Sequence, residues 1–184
     1  MAKLSSFKAS GGSEATEVIT GICDGSQVTV SSGTYTLPNV TGTQTLSTSY
    51  ADATGSPFAY TPPTGTTHVE YSYSFMFAWS NAHCISHWRL YLDSDEVTLA
   101  RKSLSGYYAE DHITLNWIFK IAGSADSTIG QVTSWTSAKT MKWQAREYGT
   151  SNGMDKLHYT VYFDGGSSAQ TSRPSIKVTS YNFS

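Results

Sequence analysis

From residue 68 onward the chain alternates apolar and polar side chains with a period of two. Tyr71, Tyr73, Phe75, Phe77 and Trp79 share one parity over residues 68–79. Ile113, Leu115, Trp117, Phe119 and Ile121 do the same, with His112, Thr114, Asn116 and Lys120 between them. Met141, Trp143 and Ala145 alternate with Lys142, Gln144 and Arg146; Leu157, Tyr159, Val161 and Phe163 alternate with His158, Thr160 and Tyr162; Ile176 and Val178 alternate with Ser175, Lys177 and Thr179. This is the period of a strand with one buried face. Further strands are predicted over 43–51, 57–61, 83–92 and 96–102, punctuated by Thr54-Gly55-Ser56, Pro62-Pro63-Thr64-Gly65, Asp93-Ser94-Asp95 and Ser105-Gly106. No stretch has helical period beyond a turn, and 122–137 reads as a long loop. About eight strands with such turns predict an all-β fold, an antiparallel β-sandwich of jelly-roll type.

Two regions precede this body, which is placed at residues 43–184. Gln27-Val28-Thr29-Val30 and Gly33-Thr34-Tyr35-Thr36 flank Ser31-Ser32 and predict a small β-hairpin within residues 17–42. Residues 1–16 are rich in Ser, Gly and Ala and read as an extended attachment arm. Its apolar side chains, Leu4 and Phe7, are the natural anchors on a partner surface.

Composition sharpens the picture. Only 14% of the 184 residues are charged while 13% are aromatic, a sheet composition and not that of a disordered chain. A formal net charge of −2 gives no electrostatic reason to expect nucleic acid as a partner. No apolar run is long enough for a membrane helix, and the first residues lack the apolar core of a secretory signal. The two cysteines, Cys23 and Cys84, are expected as buried free thiols.

Candidate chemistry is sparse. His83-Cys84-Ile85-Ser86-His87 resembles a metal site only if helical. On a strand its two histidines stand roughly 13 Å apart, too far to share a zinc ion, and Cys84 faces the other way. Asp93-Ser94-Asp95-Glu96 lacks the loop length of a calcium site and reads as a hairpin turn. Glu110 and Asp111 are neighbours on a strand and point to opposite faces, so they cannot flank one glycosidic bond. His112 and His158 have no visible partner for general-base work. Asn39-Val40-Thr41 and Asn182-Phe183-Ser184 match the glycosylation pattern by chance. The expectation is a chain with no catalytic residues, cofactor or metal. Tyr107, Tyr108, Trp135, Tyr148 and Asn152 are candidates for a protein interface or, alternatively, a glycan contact.

Several segments together resemble a family of small virion structural, tail-fibre-like proteins of marine tailed phages, cyanophages above all. These are Cys23-Asp24-Gly25-Ser26, Ser32-Gly33-Thr34-Tyr35-Thr36-Leu37-Pro38-Asn39-Val40-Thr41, Tyr60-Thr61-Pro62-Pro63-Thr64-Gly65, Ala82-His83-Cys84-Ile85-Ser86-His87-Trp88, Glu96-Val97-Thr98-Leu99-Ala100-Arg101, Ser134-Trp135-Thr136-Ser137-Ala138-Lys139 and Tyr162-Phe163-Asp164-Gly165-Gly166. The likeness runs over residues 17–184. It implies a non-enzymatic virion component assembled in the bacterial cytoplasm, with unpaired thiols. It further implies a homotrimeric knob bound to other virion proteins, either the major capsid protein or a fibre or tail component. Capsid decoration is the favoured role; a tail-fibre or tail-tip module binding a host-surface glycan is the alternative.

Overall fold

The computed structural model describes residues 14–79, 84–106, 110–149, 155–161 and 169–183, with the Cys84 side chain excepted. The arm anchors Leu4 and Phe7, and Tyr107, Tyr108, Asn152 and His83, lie outside the described residues. The strands are β1 (Glu14–Ile22), β2 (Gln27–Val30), β3 (Gly33–Thr36), β4 (Gln44–Thr45), β5 (Ala51–Asp52), β6 (Phe58–Tyr60), β7 (His68–Ala78) and β8 (Cys84–Leu92). They continue with β9 (Asp95–Gly106), β10 (Glu110–Ile121), β11 (Gln131–Val132), β12 (Lys139–Glu147), β13 (Lys156–Leu157), β14 (Tyr159–Thr160), β15 (Gln170–Thr171) and β16 (Ser175–Asn182). A 3-10 turn at Ser127–Ile129 is the one helical element among the described residues.

The strands form two main sheets. The larger runs β1-β16-β7-β10-β11, and the smaller runs β5-β12-β8-β9, with β6 continuing the β5 edge of β12. All pairings in these orders are antiparallel except β10 with β11. Counting β5 and β6 as one interrupted strand, the principal strands in chain order lie 1-8-3-6 in one sheet and 2-7-4-5 in the other. That order is the jelly roll: a long hairpin wrapped so that successive strands alternate between sheets, except at its β8–β9 turn, as paired Greek keys. The molecule is an antiparallel β-sandwich, as the alternation predicts.

The interior is aromatic. β7 turns Tyr71, Tyr73, Phe75 and Phe77 inward; β8 contributes Trp88 and Leu90, and β12 contributes Met141 and Trp143, all at most 1% exposed. Across the two sheets Phe75 stacks on Trp88 with ring centroids 5.0 Å apart, and Phe77 meets the same indole edge-on at 5.9 Å. Each such side chain contributes roughly 1.5–3 kcal/mol by burial. The tyrosine hydroxyls are satisfied by one loop: Tyr71 donates to the Ser56 carbonyl and Tyr73 to that of Thr54, at 2.7 Å for the latter. Gly55 between them has φ +86, and a Cβ there would meet Pro174 and Val40 at 2.8 Å, so no other residue fits this tight crossing.

Three expectations meet a different geometry. The boundary placed at residue 16 falls inside β1, which pairs with β16 from Glu14 to Ile22. The segment expected as a strand over 43–51 contains only β4 and the start of β5. Gln44 spends its side chain on the Thr54 amide and hydroxyl and the Asp52 carbonyl, and the Ser47 hydroxyl accepts from the Ser49 amide. These local bonds compete with a ladder. The strand expected through 157–163 breaks at His158, whose φ is +59, so Leu157 joins the large sheet while Tyr159 pairs with Thr171 in a separate ribbon. The hairpin appears as predicted, with Ser31 and Ser32 at its tip.

Candidate functional site

Most buried polar groups are consumed in holding the fold. Glu17 on β1 is 7% exposed, and its carboxylate accepts from the Ser31 hydroxyl, the Ser32 amide and hydroxyl, and the Tyr60 hydroxyl at 2.6–2.8 Å. It clamps the hairpin tip to the sandwich. Burial opposes ionisation of this carboxyl, but the hydrogen bonds from Ser31, Ser32 and Tyr60 prevail and hold its pKa below the usual value. His158 is buried, and burial lowers its pKa. Its Nε2–H donates to the Thr54 carbonyl at 2.8 Å, which fixes that tautomer. Glu110 accepts from the Thr160 hydroxyl and the Val161 amide, and Asp93 accepts from the Thr140 amide at the hairpin it turns. Cys23 is a buried free thiol whose pKa burial pushes up to about 12, so it is chemically quiet. Among the described residues no three His, Cys, Asp or Glu side chains gather closely enough to hold a metal ion.

The aromatic candidates separate. Trp135 is 4% exposed: its indole donates to the Tyr60 carbonyl at 2.8 Å and sits edge-on to Phe119. It belongs to the core and offers almost no ring to a ligand. Tyr148 is 66% exposed, and its ring lies 5.7 Å from that of His87.

His87 leads into the most distinctive surface of the molecule. On the outer face of the small sheet, a shallow basin of about 290 Å³ is lined by Tyr50, His87, Trp88, Arg89, Arg101, Lys102, Ser103 and Arg146. The register builds it. Arg146 on β12 lies opposite His87 on β8, and His87 lies opposite Ser103 on β9. The β8–β9 ladder is then interrupted. Trp88 pairs with Lys102 and Leu90 with Val97, so Arg89 alone faces Thr98 to Arg101. Such a bulge re-aims side chains that a regular ladder would space evenly. Ala100 turns inward at 1% exposure, Leu99 outward at 68%, and Arg101 swings toward Glu96.

Four cations thus line one basin, and two of them, Arg89 and Arg101, share one carboxylate. Glu96 accepts from Arg101 Nε at 2.6 Å and lies 3.6 Å from Arg89 Nε. The Arg101 hydrogen bond holds the Glu96 carboxyl below its usual pKa. The Arg89 guanidinium stands 3.9 Å over the Tyr50 ring, with that of Arg146 5.3 Å from the same ring. Arg146 Nη2 donates to His87 Nδ1 at 3.1 Å, so His87 is a neutral acceptor there. Its pKa is lowered by burial first, then by the charges of Arg146 and Arg89. The arrangement presents fixed guanidinium donors to solvent. It is suited to holding an anion and has no nucleophile or paired acid and base for bond breaking. Sequence alone marks Arg89 and Arg146 as outward-facing, but the register and the bulge that unite them with Arg101 are not written in any local pattern.

The architecture defines the chain as a jelly-roll β-sandwich. No protein-family model matches it, and no curated protein does. Among solved structures, infectious bursal disease virus of the Gx strain aligns at 12% identity and TM-score 0.37, covering 91% of this chain and 38% of that one. The VP2 subviral particle of infectious bursal disease virus aligns at 10% identity and TM-score 0.38, covering 90% and 40%. The chain spans about two fifths of the length of these neighbours, and at such scores the likeness assigns neither activity nor partner.

Proposed function

We propose that this protein is a non-enzymatic structural component of a tailed-phage virion, a β-sandwich knob fastened to the particle by its N-terminal residues. The jelly-roll strand order around a filled aromatic interior carries the reading. Jelly rolls recur in viral capsid and lectin domains, where the sandwich is a building block or a binding platform. That step is fold-level analogy; the resemblance of residues 17–184 to phage structural proteins supports it independently. Capsid decoration is the preferred position, with a fibre or tail tip as the alternative.

The free edge of the large sheet supports attachment at this end of the molecule. β1 is outermost, and no described strand pairs with its free side. Val18 and Ile22 stand on it 44% and 56% exposed. Glu14 pairs with Asn182, so the first and last described strands begin and end at one corner of the sandwich. An open edge with apolar side chains invites cover by another chain, and closure of three copies into a ring would provide it. Deleting residues 2–12 tests the arm: occupancy on undecorated particles should fall sharply. Normal loading of the truncated protein would rule out anchoring through Leu4 and Phe7.

A further inference from the structure

We infer that the basin on the outer face of the small sheet is a binding site for an anionic saccharide, one bearing a carboxylate or sulfate group. This goes beyond the structural role and does not depend on where the protein sits in a particle.

Four observations converge. First, the charge is concentrated: a chain of net charge −2 places Arg89, Arg101, Lys102 and Arg146 around one basin with Glu96 as the opposing carboxylate. Elsewhere on the same sheet Lys142 and Lys139 each have a carboxylate of their own, Asp52 and Asp93, at 3.1 Å. Second, the ladder is interrupted at this point, with four residues of β9 opposite Arg89. Clustering like charges costs stability, and a bulge that brings them together is a feature to be explained by use. Third, the guanidiniums are fixed in advance. Arg89 is held between Tyr50 and Glu96, and Arg146 by His87 and the Tyr50 ring, so little rotamer freedom remains to be lost on binding. Planar guanidinium forks match carboxylate and sulfate oxygens in pairs. Fourth, the basin has the size of one sugar ring. About 290 Å³ lies at the lower end of small-ligand sites, and the exposed Tyr148 ring beside His87 provides a face for a pyranose.

The favoured occupant is a saccharide and not an acidic peptide: the basin is built from side chains across β8, β9 and β12, with the Arg89 and Arg146 guanidiniums over the Tyr50 ring, whereas an extended chain would add its hydrogen bonds along the free edge of β9. One anionic group enters among Arg89, Arg101 and Arg146, Lys102 and Ser103 supply further donors, and the ring continues toward Tyr148.

Titration calorimetry on the purified full-length protein decides the matter. The probes are a sulfated oligosaccharide, a uronic-acid oligosaccharide, the neutral oligosaccharide of equal length and a Glu-rich peptide. At least one charged saccharide should bind at least tenfold more tightly than the neutral one, and raised salt should weaken it. Arg89→Glu with Arg146→Glu should lose at least tenfold in affinity. So should Arg101→Glu with Lys102→Glu, whose exposed side chains leave the fold intact, while Lys177→Glu on the opposite sheet should bind normally. Equal affinity for charged and neutral saccharides, tighter binding of the peptide, no binding at all, or binding indifferent to both charge reversals would each overturn the assignment. Failure here leaves the arm-deletion result untouched, so the two readings are judged separately.

Discussion

The two outer faces of this sandwich share one interior and differ in what they show to water. On the large sheet, Ser72, Ser74, Thr114 and Asn116 lie in register across β7 and β10, and Ser74 and Thr114 bond to each other at 2.8 Å. Its charges are spread out: Glu70 accepts from the Tyr181 hydroxyl, and Lys177 stands exposed on β16. That face is a regular ladder of small polar groups. On the small sheet the ladder is broken opposite Arg89, and cations of three strands converge. The same alternation produced both faces. The difference lies in one bulge and in which residues occupy the outward positions, so the fold supplies a platform and the outward side chains supply whatever recognition there is.

Removing the shared interior should erase both faces together. Trp88→Ala deletes the indole on which Phe75 and Phe77 pack, and should cost about 3–5 kcal/mol in urea unfolding. A smaller loss would mean that the sheets are held chiefly by something else. Glu17→Gln acts where β1, the hairpin tip and β6 meet, away from the basin. It weakens the charge-assisted bonds from Ser31, Ser32 and Tyr60, and should cost about 2 kcal/mol. Because the folded pKa lies below the ordinary 4.5, this contribution is complete above that value and fades as pH falls through the folded pKa. The gap between wild type and variant, measured by urea titration at pH 7 and at pH 3, should therefore narrow at the acid end.

Changes confined to the small sheet's outer face should move binding more than folding. A charged saccharide at ten times its Kd should stabilise the wild type by about 1.4 kcal/mol, a rise in Tm of a few degrees for a chain this size. The Arg89→Glu, Arg146→Glu protein should show little of that rise. The smallest effect belongs to the regular face. Ser74→Ala should change stability by no more than about 0.5 kcal/mol, since its hydroxyl and that of Thr114 both remain open to water. It should leave saccharide binding unaltered.

Much of this platform is legible in the sequence because a strand with one buried face writes its period directly. β7, β10 and β12 show it, and each turns the expected parity inward. Legibility fails where side chains bond locally, as around Gln44 and Ser47, and where a single residue takes a left-handed φ, as His158 does. It fails again for Trp135, which looks like a loop aromatic available to a ligand and is instead drawn beneath the Pro62-Pro63 turn by its bond to the Tyr60 carbonyl. The basin is the least legible feature. Tyr50, Arg89, Arg101 and Arg146 are spread over nearly a hundred residues, and only the β8–β9–β12 register brings them together. Among the described residues that the sequence singled out, His87 lines it and Tyr148 lies beside it.

The structural role is tested most directly by finding the protein on purified phage particles that carry its gene. Mass spectrometry of the particles, combined with imaging of particles labelled by an antibody to the small sheet's face, should find it at many copies per virion, at symmetric external positions. Particles that contain none of it, or that hold it only in catalytic trace amounts, would contradict the account.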